Sequence, residues 1–291
     1  MRIAILALFL CGLFCASAGA QQQQDMPAPC RPDATGVVDY EACLNAAPAG
    51  SPARIYALIN LGSQAYLRQY YAEAVRLYDE AQPGNGQQVF SDAAFHAYRA
   101  DAYHHVGRAQ DALSNAQTAF ALISHSLNPS NDAWAQLSAL PADPETVYGL
   151  ILPILKEGHD PHFDAALAAF NALPNVDWMS HANHAAVLDQ LGDHAAALRE
   201  NTQALALQPE HPQVLNTQCF VLAELDRGHE ALPFCEHALR LAPDVAAVHD
   251  SYAVALAADH QCDAAQRERA TTRQLDPVSV EYQQPLSCRP H

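Results

Sequence analysis

The chain has 291 residues, half of them apolar and only 16% charged, a balance that supports a folded core and excludes a disordered polyelectrolyte. Acids outnumber bases 32 to 15, and the formal net charge is −17. Such a surface repels phosphate backbones and anionic bilayers, which argues against nucleic acid and membrane surfaces as partners.

At the start, Met1-Arg2 supplies a positive charge, Ile3 to Phe14 is an apolar run, and Ala18-Gly19-Ala20 has the small-x-small form of a cleavage site. This pattern predicts a signal peptide over residues 1–20, cleavage near Ala20, and a periplasmic or secreted protein whose mature chain opens at Gln21. The run falls short of the roughly 20 apolar residues a bilayer span needs, so no stable membrane anchor is expected after cleavage. Leu10 and Phe14 precede Cys11 and Cys15 where a lipoprotein signal requires a small residue, which argues against lipidation.

Residues 21–52 are turn-rich before Val37 and helical near Tyr40–Asn45, as expected of an N-terminal cap segment that hides the first apolar face of an array. Residues 53–277 then carry helical apolar spacing, broken at 124–143 by an insertion rich in Ser, Asn, Asp and Pro, where Trp134 and Leu137 suit a short extra helix. Residues 278–291 form a C-terminal tail.

A step of 34 residues aligns five columns over the last third of the chain. They are Pro209, Pro243 and Pro277; Leu207, Leu241 and Leu275; Leu188, Leu222 and Leu256; Ala197, Ala231 and Ala265; and the small set Ala185, Cys219 and Ala253. Columns in register at this period mark a stacked repeat. Within one period, Val214, Leu215, Cys219, Leu222, Ala223 and Leu225 keep helical spacing, Arg227-Gly228 breaks it, and Ala231, Leu232, Cys235, Ala238 and Leu239 resume it. The unit is therefore helix, turn, helix. Its small column permits close helix approach, and its proline stops the second helix.

This pattern resembles the tetratricopeptide repeat family. Leu61-Gly62, the Tyr70-Tyr71 turn, Ala74, Tyr78 and Ala81 match its spacings in residues 55–83, and Ala100, Tyr103, Gly107, Ala112 and Ala119 match in 93–122. In residues 144–174, Phe163, Ala166 and Phe170 match a second helix, after an extended turn at "EGHDPH". The resemblance implies an all-α fold, a right-handed α-solenoid of about six helix-turn-helix units. It also implies a partner-binding groove lined by first helices. Carried over slot by slot, the lining is Tyr56, Ile59, Ser63 and Tyr66; Ala97, Asp101, His104 and His105; Ala182, Ala186 and Asp189; Asn216, Phe220 and Glu224; and Asp250 and Val254. Family members that grip a terminal carboxylate use lysine and arginine in such slots, and this lining has neither. An aromatic entrance followed by acids suits a protein or peptide partner with apolar and basic side chains.

Catalytic signatures are missing: there is no G-x-S-x-G, phosphate loop or G-x-G-x-x-G, and "HEALP" at His229–Pro233 has proline where a zinc protease needs its second histidine. No catalytic residue and no cofactor are expected. Fifteen histidines include the clusters His104-His105, His159/His162 and His181/His184. The last pair shares a helix face, so the alternative is a histidine-dependent metal-binding exported protein. Two ligands fall short of the four a structural site generally uses, and no metal ligands are assigned.

Beyond the signal, the cysteines are Cys30, Cys43, Cys219, Cys235, Cys262 and Cys288, an even set that reads as disulfides in an exported chain although six allow 15 connectivities. Cys219 and Cys235 each stand eight residues from Arg227, level with one another across an antiparallel hairpin, and are expected to pair. Cys30–Cys43 would then lock the cap, and Cys262–Cys288 would tie the tail to the last unit.

Overall fold

The structure, a computed structural model, describes residues 27–33, 37–81, 93–124, 143–174, 176–277 and 279–288. The expected signal peptide and its cleavage point near Ala20 lie outside the described residues, as do Trp134, Leu137 and nearly all of the expected insertion. The described residues are helical with no strand, and they hold six helix–turn–helix hairpins. The chain divides into two compact units, the first ending at Ala142 and the second beginning at Asp143.

In the first unit a 3-10 turn at Ala28–Cys30 precedes α1 (Tyr40–Ala46), whose N-cap Asp39 accepts from the Ala42 N–H. Two hairpins follow: α2 (Pro52–Leu67) with α3 (Tyr71–Ala81), and α4 (Ala93–His105) with α5 (Ala109–Ser124). The second unit holds four: α6 (Pro144–Glu157) with α7 (Phe163–Asn171), α8 (Trp178–Gln190) with α9 (His194–Leu207), α10 (Pro212–Glu224) with α11 (Gly228–Leu241), and α12 (Ala246–Ala258) with α13 (Cys262–Leu275). A short α14 (Val280–Gln283) leads into the tail.

Each first helix ends the same way. A residue in the left-handed region closes it: Gln69 (φ 62°), Gly107 (74°), His159 (50°), Gly192 (75°), Asp226 (60°) and His260 (60°). At every one of these positions the N–H donates back three residues and the next N–H donates back five, as Asp226 does to Ala223 O at 2.9 Å and Arg227 to Leu222 O at 2.9 Å. This double bond satisfies the carbonyls that a helix end would otherwise leave orphaned. The third hairpin, whose sequence matched the repeat only in part, carries it too: His159 donates to Lys156 O and Asp160 to Leu155 O. Its turn then runs longer, with the Asp160 carboxylate accepting from the His162 N–H at 2.8 Å.

Hairpins close because small residues face one another. Ala74, Ala112, Ala166, Ala197, Ala231 and Ala265, one per second helix, are at most 1% exposed. The first helices bring buried small residues of their own: Gly62, Ala100, Ala185, Cys219 and Ala253. A β-carbon added to Gly62 would lie 2.6 Å from the Tyr78 ring, so in this hairpin glycine makes room for a large aromatic in the facing slot. In the fifth hairpin the same facing pair is Cys219 and Cys235, joined by a disulfide with Cα atoms 5.1 Å apart. Pro233 does not turn Cys235 away, because α11 continues through it. Cys30–Cys43 joins the 3-10 turn to α1, and Cys262–Cys288 joins the start of α13 to the tail. The leucine column behaves differently. Leu207, Leu241 and Leu275 are the last residues of α9, α11 and α13 and are 40–56% exposed, whereas Leu188, Leu222 and Leu256 are buried.

Candidate partner-binding site

The slots expected to line a groove separate into open, engaged and buried positions. In the first unit, Ile59 and Ala97 are fully buried, and Ser63 is buried with its hydroxyl 3.4 Å from that of Tyr78. These three are core positions, and Ser63 faces the second helix of its hairpin. Tyr56 is covered by the chain itself: the Tyr40 ring of α1 packs edge-on at 5.5 Å, with the two hydroxyls 3.4 Å apart. Burial and this hydroxyl pairing push the Tyr56 phenol well above its ordinary pKa.

The remaining slots of this unit form a cluster around one carboxylate. Tyr66 donates its hydroxyl to Asp101 at 2.5 Å, and His105 Nε2 lies 3.5 Å from the same oxygen. Tyr98 and Tyr71 pack edge-on against the Tyr66 ring at 5.2 and 5.5 Å, and His105 stacks on Tyr71 at 3.9 Å. Burial, and then the Asp101 charge, hold the Tyr66 phenol protonated far into the alkaline range. His104 is exposed beside this cluster. Tyr71 and Tyr98 were not among the expected lining residues. Tyr71 opens a second helix, and Tyr98 falls one position beyond a small slot, so a survey of first-helix slots passes over both.

In the second unit, α10 packs along α12, and α8 also touches α10, so successive first helices lie side by side. The slot holding Ala186, Phe220 and Val254 repeats once per helix, with Ala186 exposed and the other two half-buried. Val254 packs on the core around Cys219 and Ala255. The acids are largely spoken for. Asp189 lies 2.8 Å from His194 Nδ1, and the other nitrogen of that ring is 4.0 Å from Glu224. Asp250 differs most from expectation: it is buried in an ion pair with Arg269 of α13, so it is neutralised inside its hairpin rather than offered to a partner. Ala182 is buried against Ala204 and Val214. Asn216 is half-buried, and Glu224 remains an exposed acid.

His181 and His184 do not converge. His181 Nδ1 lies 2.8 Å from Glu200, while His184 stacks on Phe170 at 3.9 Å. Among the described residues, no three His, Cys, Asp or Glu side chains come together as a metal-binding group. No helix there is long and apolar enough to cross a membrane.

No protein-family model matches the sequence, and a search of curated proteins finds no similar chain. Solved structures do match. A tetratricopeptide repeat protein from Parabacteroides merdae aligns with TM-score 0.59 and 13% identity over 84% of this chain and 86% of its own. PilW, a type IV pilus biogenesis factor, aligns with TM-score 0.51 and 14% identity over 79% of this chain and 96% of its own. A chain of the APC/C Cut9–Hcn1 hetero-tetramer gives TM-score 0.51 and 14% identity over 84% of this chain and 43% of its own. At such identities the likeness speaks to fold. By its repeated hairpins and its likeness to these structures, the chain has the fold of a tetratricopeptide-repeat solenoid.

Proposed function

We propose that this chain is an exported, non-catalytic scaffold that holds a protein or peptide partner against its first helices. The observation that carries this is the slot of Ala186, Phe220 and Val254, repeated on helices that lie side by side and left partly open on each. Phe220 is the anchor of this row, since a half-buried aromatic ring on a polar surface gives a partner large apolar area. Exposed Glu224 beside it favours a partner that pairs apolar with basic side chains. Three disulfides, bonds that persist in oxidising compartments, support export to the periplasm or beyond.

The test is site-specific photo-crosslinking in the native compartment. A photoreactive residue at 220 or 254 should capture one and the same polypeptide, while one at exposed Glu236 of α11 should not. Phe220→Ala should weaken that capture by roughly tenfold or more, the usual cost of losing an aromatic anchor. Equal capture at 236, or none at 220 and 254, defeats the assignment.

A further inference from the structure

We propose that the cavity between the α6–α7 and α8–α9 hairpins is a binding site for a small organic carboxylate that carries an apolar body and a hydroxyl or amino donor. The cavity has a volume of about 480 Å³, within the range of small-molecule sites. Its wall draws on Lys156 of α6, the length of α7 from Phe163 to Asn171, His184 and Leu188 of α8, and the start of α9 from Asp193 to Glu200.

The walls combine three chemistries. Phe163, Leu167, Leu188 and Leu191 supply apolar surface. Lys156, the one lysine of the chain, and Arg199 bring cations together in a protein whose net charge is −17. Lys156 donates one N–H to Leu191 O, and Arg199 gives Nη1 to Ala195 O at 3.2 Å; an ammonium and a guanidinium have further donors to offer a carboxylate. Two acids share the wall, each with a partner of its own: Asp193 caps α9 through the Ala196 N–H, and Glu200 lies 2.8 Å from His181 Nδ1.

The third element is His184, only 3% exposed. Its Nε2–H donates to Asn171 Oδ1 at 3.3 Å, which leaves Nδ1 as the acceptor of the neutral ring. That nitrogen is buried with no hydrogen-bond partner. A buried acceptor left unmatched is costly, and a donor on a ligand would relieve it. In the next hairpin the same slot holds Gln218, whose Oε1 accepts from Asn201 at 2.8 Å; there the chain satisfies itself and here it does not.

Calorimetric titration of the intact protein with 3-phenyllactate tests the assignment, because this probe joins a carboxylate, a hydroxyl and an apolar ring. Saturable binding with Kd below about 1 mM is expected, weakened about tenfold or more for the methyl ester, for Lys156→Gln and for His184→Gln. Leu167→Trp, which fills the cavity, should abolish it. Circular dichroism checks that each variant is folded, and Lys156→Gln serves alone if the tryptophan variant is not. Absence of saturable binding, undiminished binding by the folded variants, or equal affinity for the methyl ester or for inorganic phosphate overturns the proposal.

Discussion

Gly228 offers a test of hairpin packing in which two effects of one methyl group oppose each other. Replacing a helical glycine with alanine ordinarily stabilises by about 0.5–1 kcal/mol, through lost freedom of the unfolded chain. At Gly228, however, the new β-carbon would lie 2.4 Å from Asp259 N, 2.6 Å from Ala258 C and 2.8 Å from Ala255 O. These atoms are backbone at the end of α12, so no rotamer change relieves the overlap, and the start of α11 must move away. Overpacking of this kind costs about 1–3 kcal/mol, which outweighs the propensity gain and leaves a net loss of about 1–2 kcal/mol. For a chain of this size the melting temperature should fall by about 2–8 °C. Gly149→Ala is the control: its nearest neighbour is a Val187 methyl at 3.1 Å, a single side-chain contact that a shift of a few tenths of an ångström relieves. The control should stay within about 0.5 kcal/mol of the parent, since the small crowding is offset by propensity. Thermal and urea melts followed by far-ultraviolet circular dichroism measure both. If Gly228→Ala melts at or above the parent, the contact between α11 and α12 is looser than described and the argument fails.

Asp226 sits at φ 60° with a side chain that gains nothing from that conformation, so Asp226→Gly should raise stability by about 1 kcal/mol in urea melts; no gain would refute the strain argument. Removing the fifth-hairpin bridge with Cys219→Ala and Cys235→Ala together should cost about 2–4 kcal/mol for a loop of 16 residues, while peptide mapping without reductant should join those two cysteines in the parent. Burial holds the His184 imidazole below its ordinary pKa of 6.5, outweighing the pull of the Glu200 charge. The unfolded chain then takes up a proton near that pH while the folded chain resists. Stability present above about pH 6.5 should therefore be lost as pH falls toward the lower folded value. The urea midpoint of the parent should drop more steeply between about pH 7 and pH 5 than that of His184→Gln, and parallel profiles would refute the assignment.

Much of the fold was legible in the sequence because its causes are short-range. A helix hairpin closes only if small residues recur where its two helices touch, so Ala197, Ala231 and Ala265 announce the repeat, and each is fully buried. The pairing of Cys219 with Cys235 follows from the same one-hairpin geometry, since both stand equally far from the turn. The left-handed closing position was half concealed: glycine marks it at Gly107 and Gly192, but Gln69, His159, Asp226 and His260 adopt it without that signal.

What lies open on the first helices was decided by tertiary structure alone. Slot number places a residue on a face, but exposure depends on what another element brings to that face. Tyr40 from α1 covers Tyr56, Arg269 from α13 takes the charge of Asp250, and Tyr71 from α3 joins the Tyr66 cluster. The cavity beside His184 is likewise assembled across space, from side chains of α6, α7, α8 and α9. Periodicity acts along the chain over one repeat, whereas burial and charge pairing act across space between repeats, where a one-dimensional pattern carries no distances.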